Sequence, residues 1–397
     1  MAIATIVFPR ASFAQQERAA SPAAPTEARV AWKHAPAGCS FEDLVTDGGA
    51  LFVLDRSGHI RALDPVSGDL KWTSKEVLSF SRGYGLALSP AADFDAVLVG
   101  CDTGLFALRR DTGETLWQTE IKPGVAGPVC TERAVFVGGA DGRIHAHDLR
   151  KGAELWTADC MEDRPEDPPG FEGASARFHG CAARMGEAQT DGKRVLVPIF
   201  DQCRVVAVDA QSGKRLWDFR TQGWTFGGAV IGEHNAFVVS QDNHLYAVDK
   251  DMGKEMWRIA TTGRNEAPAA AAGRFAYVGS CDGSLYGVDE VVGRVVWKFP
   301  IEADPRGGTP IYGAPLVLGD TVLLAAMPGV VYAVGRADGK LRWKLRPSLG
   351  SELNGDLVAI GNRVFVTTRM DGEKGESGVF AIDLPAAAGV ADGKAGK

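Results

Sequence analysis

The chain predicts an all-β fold, an eight-bladed β-propeller of four-stranded antiparallel blades, on three observations. The first is a repeat: an alanine or glycine, a glycine six residues on, and a tryptophan four residues after that. It recurs at Ala62/Gly68/Trp72, Ala107/Gly113/Trp117, Ala146/Gly152/Trp156, Ala207/Gly213/Trp217, Ala247/Gly253/Trp257, Gly287/Gly293/Trp297 and Ala333/Gly339/Trp343. The second is a set of eight short apolar runs, at 51–54, 97–99, 135–137, 195–197, 236–239, 276–278, 322–324 and 364–366. The third is the step between tryptophans, 40 residues from Trp217 to Trp257 and again to Trp297. A self-similar period of this size means supersecondary units stacked or set radially. Four short antiparallel strands per period make a propeller blade.

Taken in order, residues 1–14 read as an export signal, an apolar run followed by small residues at Ser12 and Ala14. Residues 15–28 read as a disordered linker, 29–384 as the propeller and 385–397 as a disordered tail. Export places the chain in the periplasm or cell envelope. Residues 36–39 end in a cysteine after small residues, as a lipobox does, but the charged and polar stretch 27–34 stands where an apolar segment is required. Cys39 is therefore expected to carry no lipid.

Each blade is expected to open with a small-residue strand, such as 127–129, 267–268 or 313–316, and to continue into the apolar second strand. Asp141-Gly142 and Asp282-Gly283 then close hairpins, because these dipeptides accept positive φ. A third strand such as 245–249 leads through the glycine turn to a fourth strand carrying the tryptophan. The eighth unit, 378–383, has a third strand and no tryptophan after it, while Trp32 lies 40 residues before Trp72. An N-terminal strand over 29–33 is thus predicted to complete the last blade and close the ring. Trp32, Trp72, Trp117, Trp156, Trp217, Trp257, Trp297 and Trp343 are predicted structural residues, each burying its indole between neighbouring blades.

Forty-three basic against fifty acidic residues give a net charge of −7, which offers no electrostatic footprint for nucleic acid or anionic lipid. No run of eighteen apolar residues is present, so no spanning helix is expected. A monomer is expected.

The connections between blades are long at 73–83, 157–186, 298–311 and 344–353, and all open on one face of the disc. Long loops on a rigid scaffold are where binding groups sit. This rim is expected to gather Arg82, Tyr84, Arg184, Trp224, Phe226, Arg264, Asn265, Glu266, Arg306, Tyr312, Glu352 and Asn354 as a face for an envelope protein or peptide. Trp224, the one tryptophan outside the repeat, serves either as a partner anchor or as a plug for the channel mouth. The charges either contact a partner or pair with one another.

Seven cysteines leave at least one thiol unpaired. Cys160 and Cys181 flank the longest insertion and would clip it as a disulfide; Cys203 competes for either. Cys101 and Cys281 hold equivalent positions in distant blades and should not pair. No catalytic constellation is present, and the cysteines with His179 lack metal-ligand spacing, so neither metal nor cofactor is expected.

The segment from Tyr277 to Asp289, with Gly293 and Trp297 after it, resembles the repeat of the pyrroloquinoline-quinone (PQQ) enzymes. This resemblance covers Trp32 to Asp383 and implies the eight-bladed quinoprotein-like propeller. One branch of that family holds PQQ with calcium against a disulfide of adjacent cysteines; this chain has no adjacent cysteines, so the cofactor is not implied. The other branch is similar to the BamB family, noncatalytic outer-membrane assembly lipoproteins that bind a barrel partner through loops between blades. The resemblance thus implies an exported scaffold, with a PQQ-dependent oxidoreductase as the alternative.

Overall fold

The structure, a computed structural model, describes residues 27–37, 39–79, 85–160, 185–302, 311, 313–327, 329–348, 351–370 and 376–385. The segment read as an export signal, the residues up to 26 and those from 386 lie outside them. The described residues form eight four-stranded antiparallel sheets and a single 3-10 turn at Phe200–Gln202. Blades one to seven use four consecutive strands each. Blade eight takes its outer strand, Arg29–His34, from the N-terminus and its other three, Ser351–Ile360, Arg363–Met370 and Gly378–Asp383, from the C-terminal end. Trp32 pairs with Ala381 and Lys33 with Phe380, so the predicted closing strand is in place.

The first strands of every successive pair of blades touch, including those of blades eight and one, so they line the axis of a closed ring. They are short. Val129–Cys130, Ala270–Ala272 and Leu316–Leu318 begin later than the sequence suggested. Prolines at 128, 268 and 315 explain this, since each lacks the N–H a ladder needs. Second strands are buried on both faces: Ala96–Cys101, Arg194–Ile199 and Asn235–Ser240 are buried throughout. The core is accordingly not one mass but eight clusters, each shared by two adjacent blades.

The repeat motif proves to join blades as well as build them. Within a blade, the alanine or glycine stands opposite the tryptophan, as Ala62 does Trp72 and Ala107 does Trp117, and a β-bulge follows at once. Between blades, the glycine of the next unit lies on the indole: Gly68 on Trp32, Gly113 on Trp72, and so on to Gly339 on Trp297. A Cβ at any of these seven glycines would lie 2.5–2.7 Å from an indole carbon, and each has positive φ. The indole N–H then donates to a carbonyl of that same turn, Trp72 Nε1 to Arg110 O at 2.8 Å and Trp257 Nε1 to Glu290 O at 2.9 Å. Full burial of the tryptophans was expected. Only Trp217 and Trp297 reach it, because the outer strands leave one indole edge at the disc perimeter.

Blade eight has no glycine turn; Trp343 instead packs against the cluster that contains Leu384, on which Ala28 and Val30 from the N-terminal strand side also lie.

Gly113→Ala should lower unfolding free energy by about 3 kcal/mol, combining positive-φ strain with overpacking on Trp72. Gly319→Ala has similar φ but open space around it, and should cost only about 1 kcal/mol. Urea unfolding of the two variants checks this; equal losses would mean that the indole contact contributes nothing.

Candidate partner-binding face

Two successive inter-blade loops are built on one template. Thr221 Oγ1 donates to Gly223 O at 2.6 Å in the first, and Thr261 Oγ1 to Gly263 O at 2.7 Å in the second. Gln241 N bonds Trp224 O and Cys281 N bonds Arg264 O, both at 2.8 Å. Trp224 and Arg264 therefore hold the same rim position in blades five and six. The loops alternate outward and inward: Arg264 is exposed and Trp224 half-buried, whereas Thr225 and Asn265 after them are fully buried. Asn265, expected on the contact surface, is instead turned into the loop, its side-chain amide 2.9 Å from Thr261 Oγ1. The alternation of extended backbone is the cause.

Trp224 sits edge-on to Phe226 with ring centres 5.5 Å apart, and Phe226 lies 5.0 Å from Phe200 of blade four. These three half-buried rings form a ridge across the seam of blades four and five. Gly186 permits it, since a Cβ there would run into Phe200. Next along the rim, Glu266 accepts from Gln241 Nε2 at 2.8 Å and stands 3.8 Å from the Arg264 guanidinium, itself 61% exposed. The structure thus brings together Trp224, Phe226, Arg264 and Glu266.

Glu352 and Asn354 fall on the inner strand of blade eight, in register with Arg369 and Thr367. Arg82, Tyr84, Arg184, Arg306, Tyr312, His179 and Cys181 lie outside the described residues, so the clip between Cys160 and Cys181 does too. Cys160 itself is buried at the base of the long insertion, where the fully buried Arg204 donates to its carbonyl and meets Asp218 Oδ1 at 3.0 Å. Sequence reading missed Arg204, because an arginine within an apolar third strand carries no local sign of what it reaches.

It also missed three carboxylates at the axis. Asp43 of blade one accepts from Leu44 N at 2.7 Å and from Leu86 N of blade two at 2.9 Å. Asp356 of blade eight accepts from Ala314 N at 2.7 Å. Both tie neighbouring inner strands together. Glu187, ahead of the first strand of blade four, reaches to Gly127 and Gly85 of blades three and two. Glu187 and Asp356 keep solvent-accessible surface, yet their carboxyls are densely surrounded by protein. Burial, with the charges of Asp43 and Asp356 behind it, pushes Glu187 up to about 8. Burial likewise pushes Asp43 up to about 6 and raises Asp356.

Calcium beside PQQ would need carboxylate oxygens to hold it, and both oxygens of Asp43 already accept from backbone amides.

The raised carboxyls fix the sign of the pH response. Folded chain keeps a proton on Glu187 that unfolded chain releases near its ordinary 4.5, so stability falls as pH rises from there toward about 8. Glu187→Gln should flatten this fall: its melting temperature should drop less than the parent's between pH 5 and 8 and exceed it at pH 8. Parallel melting curves across that range would refute the assignment.

The model of one family, described as outer membrane protein assembly factor BamB, matches residues 23–139 and 140–385. A BamB of Yersinia pestis is 30% identical over 147 residues, 33% of this chain and 36% of that one. A BamB of Moranella endobia is 25% identical over 205 residues, 47% and 46% of the two chains. The matched segments thus span less than half of those relatives. A quinohemoprotein alcohol dehydrogenase of Comamonas testosteroni is 34% identical over 98 residues, 24% of this chain and 12% of that one. Among solved structures, BamB of Moraxella catarrhalis superposes with a TM-score of 0.67 at 17% identity, covering 91% of this chain and 98% of that one. A europium-containing methanol dehydrogenase superposes at 0.65 with 14% identity, covering 90% and 93%. These structural likenesses concern the propeller alone, which both kinds of protein share. With a family model matched along nearly all of the described propeller, the chain belongs to the family of the outer membrane protein assembly factor BamB.

Proposed function

We propose that the chain is an exported, non-enzymatic scaffold of the cell envelope that serves outer-membrane protein assembly, binding a protein or peptide partner through its long inter-blade loops. The observation that carries this reading is the pair of template loops that set Trp224 and Arg264 at equivalent rim positions on adjacent blades. An aromatic ridge beside an exposed arginine, on loops already ordered by their own hydrogen bonds, has the composition of a binding hot spot. Ordering cost on binding is correspondingly small. Among the described residues no helix is long and apolar enough to cross a membrane. In this reading the scaffold works without PQQ, which is supported by Asp43 and Asp356 being engaged by backbone amides of neighbouring blades.

Trp224→Ala combined with Arg264→Ala should reduce capture of outer-membrane assembly proteins from detergent-solubilised envelopes at least tenfold, while shifting the melting temperature by only a few degrees. Unchanged capture would overturn the face. A melting temperature raised by PQQ with calcium, and not by either alone, would overturn the non-enzymatic reading.

A further inference from the structure

One blade departs from the repeat in a way that packing does not explain. The position after the motif alanine or glycine is Leu63, Leu108, Val208, Val248, Val288, Val334 and Ile382 in seven blades, all essentially fully buried. In blade three it is His147, 1% exposed. Burying an imidazole in an aliphatic slot is costly unless its nitrogens find partners.

One nitrogen does. His147 Nδ1 lies 3.0 Å from Gly152 O, and a carbonyl only accepts, so Nδ1 carries the proton and Nε2 presents a lone pair. That Nε2 is buried and has no hydrogen-bond partner. Two residues earlier on the same strand, and so on the same face, is His145, 7% exposed. Its Nε2 sits 3.1 Å from both oxygens of Asp141, which leaves Nδ1 as its lone-pair nitrogen. The β-bulge after Ala146 brings Glu154 of the outer strand directly opposite His147. One ligand atom each from His145, His147 and Glu154 lie within 4.8 Å of one another.

We propose that His145, His147 and Glu154 form a site for a divalent first-row transition ion, zinc above all, on the face of blade three toward blade two. Two imidazoles and a carboxylate are a zinc donor set that leaves a fourth position for water. Both rings carry the outer partner that metal-bound histidines need, Gly152 O for one and Asp141 for the other. Ligands of a tetrahedral zinc stand about 3.4 Å apart at zinc–nitrogen distances near 2.1 Å, so the set must contract. Glu154 is exposed, so its carboxylate can swing inward, while small rotations of the two imidazoles bring their nitrogens together.

The test is calorimetric titration of metal-free, untagged full-length chain with zinc chloride. One ion per chain should bind, and zinc should raise the melting temperature where magnesium does not. Glu154→Gln should weaken binding at least tenfold. His147→Val restores the side chain used in other blades; it should abolish binding while leaving the metal-free melting temperature equal or higher. Cobalt loaded in place of zinc should give a visible spectrum without a thiolate charge-transfer band. No binding, equal binding by both variants, or a thiolate band pointing to the cysteines would overturn the site.

Discussion

Everything in this molecule depends on a contact made between blades, the glycine of one unit lying on the indole of the unit before it. A blade on its own has an indole with no glycine beneath it and two apolar faces in water. Only neighbours satisfy those needs, and each neighbour raises the same need on its far side. A row of such units is stable only when it closes, because an open end would leave an uncovered face and unpaired edge groups. The chain meets this condition by lending blade eight a strand from its opposite end. Trp343, which has no glycine to rest on, packs instead against a cluster that draws residues from both ends of the propeller. The join is thus the one place where the repeat is replaced by tertiary contacts.

The consequence for binding is rigidity at the rim. Loops emerging from a closed ring are held at both ends by strands that cannot move independently. Their internal threonine-to-carbonyl bonds then fix the turn itself. Trp224 and Arg264 can differ because the backbone at both positions is fixed by its own bonds, Trp224 O to Gln241 N and Arg264 O to Cys281 N. That arrangement lets a repetitive scaffold display different chemistry on each blade without altering its frame.

Much of this was legible in the residues. The spacing of alanine, glycine and tryptophan is local, and it announced the fourth strand, the turn and the number of blades; the stray Trp32 announced the closure. What could not be read was which blade each motif residue serves, since the glycine and its tryptophan partner lie 35 to 57 residues apart and belong to different units. Asn265 was misjudged because a loop sequence does not show which side of it faces inward. Glu187, Asp43 and Asp356 were invisible for a stronger reason. They come from blades four, one and eight, and only the curvature of the ring brings their charges within reach of one another. His145 and His147 carry no helical or cysteine-type metal spacing. On a strand the matching spacing is two, which places both rings on one face.

These cases share a cause that bears on reading any repeat protein. Residues that obey the repeat report on the frame, and their identity is set by the blade interface; residues that break it are the ones packing did not choose. Thr225 and Asn265 differ from each other yet fill the same inward slot, so their variation is tolerated by the turn. His147 differs in chemical kind from the seven aliphatic side chains that fill its slot, and it leaves one imidazole nitrogen without a partner there. Trp224 likewise places a large ring where blade six has a charge. The frame of this chain is shared with proteins of other activity, as its likeness to a methanol dehydrogenase makes plain. The departures from the repeat, the ridge at the rim, the carboxylates of the axis and the imidazoles of blade three, are what set this chain apart from the frame it shares.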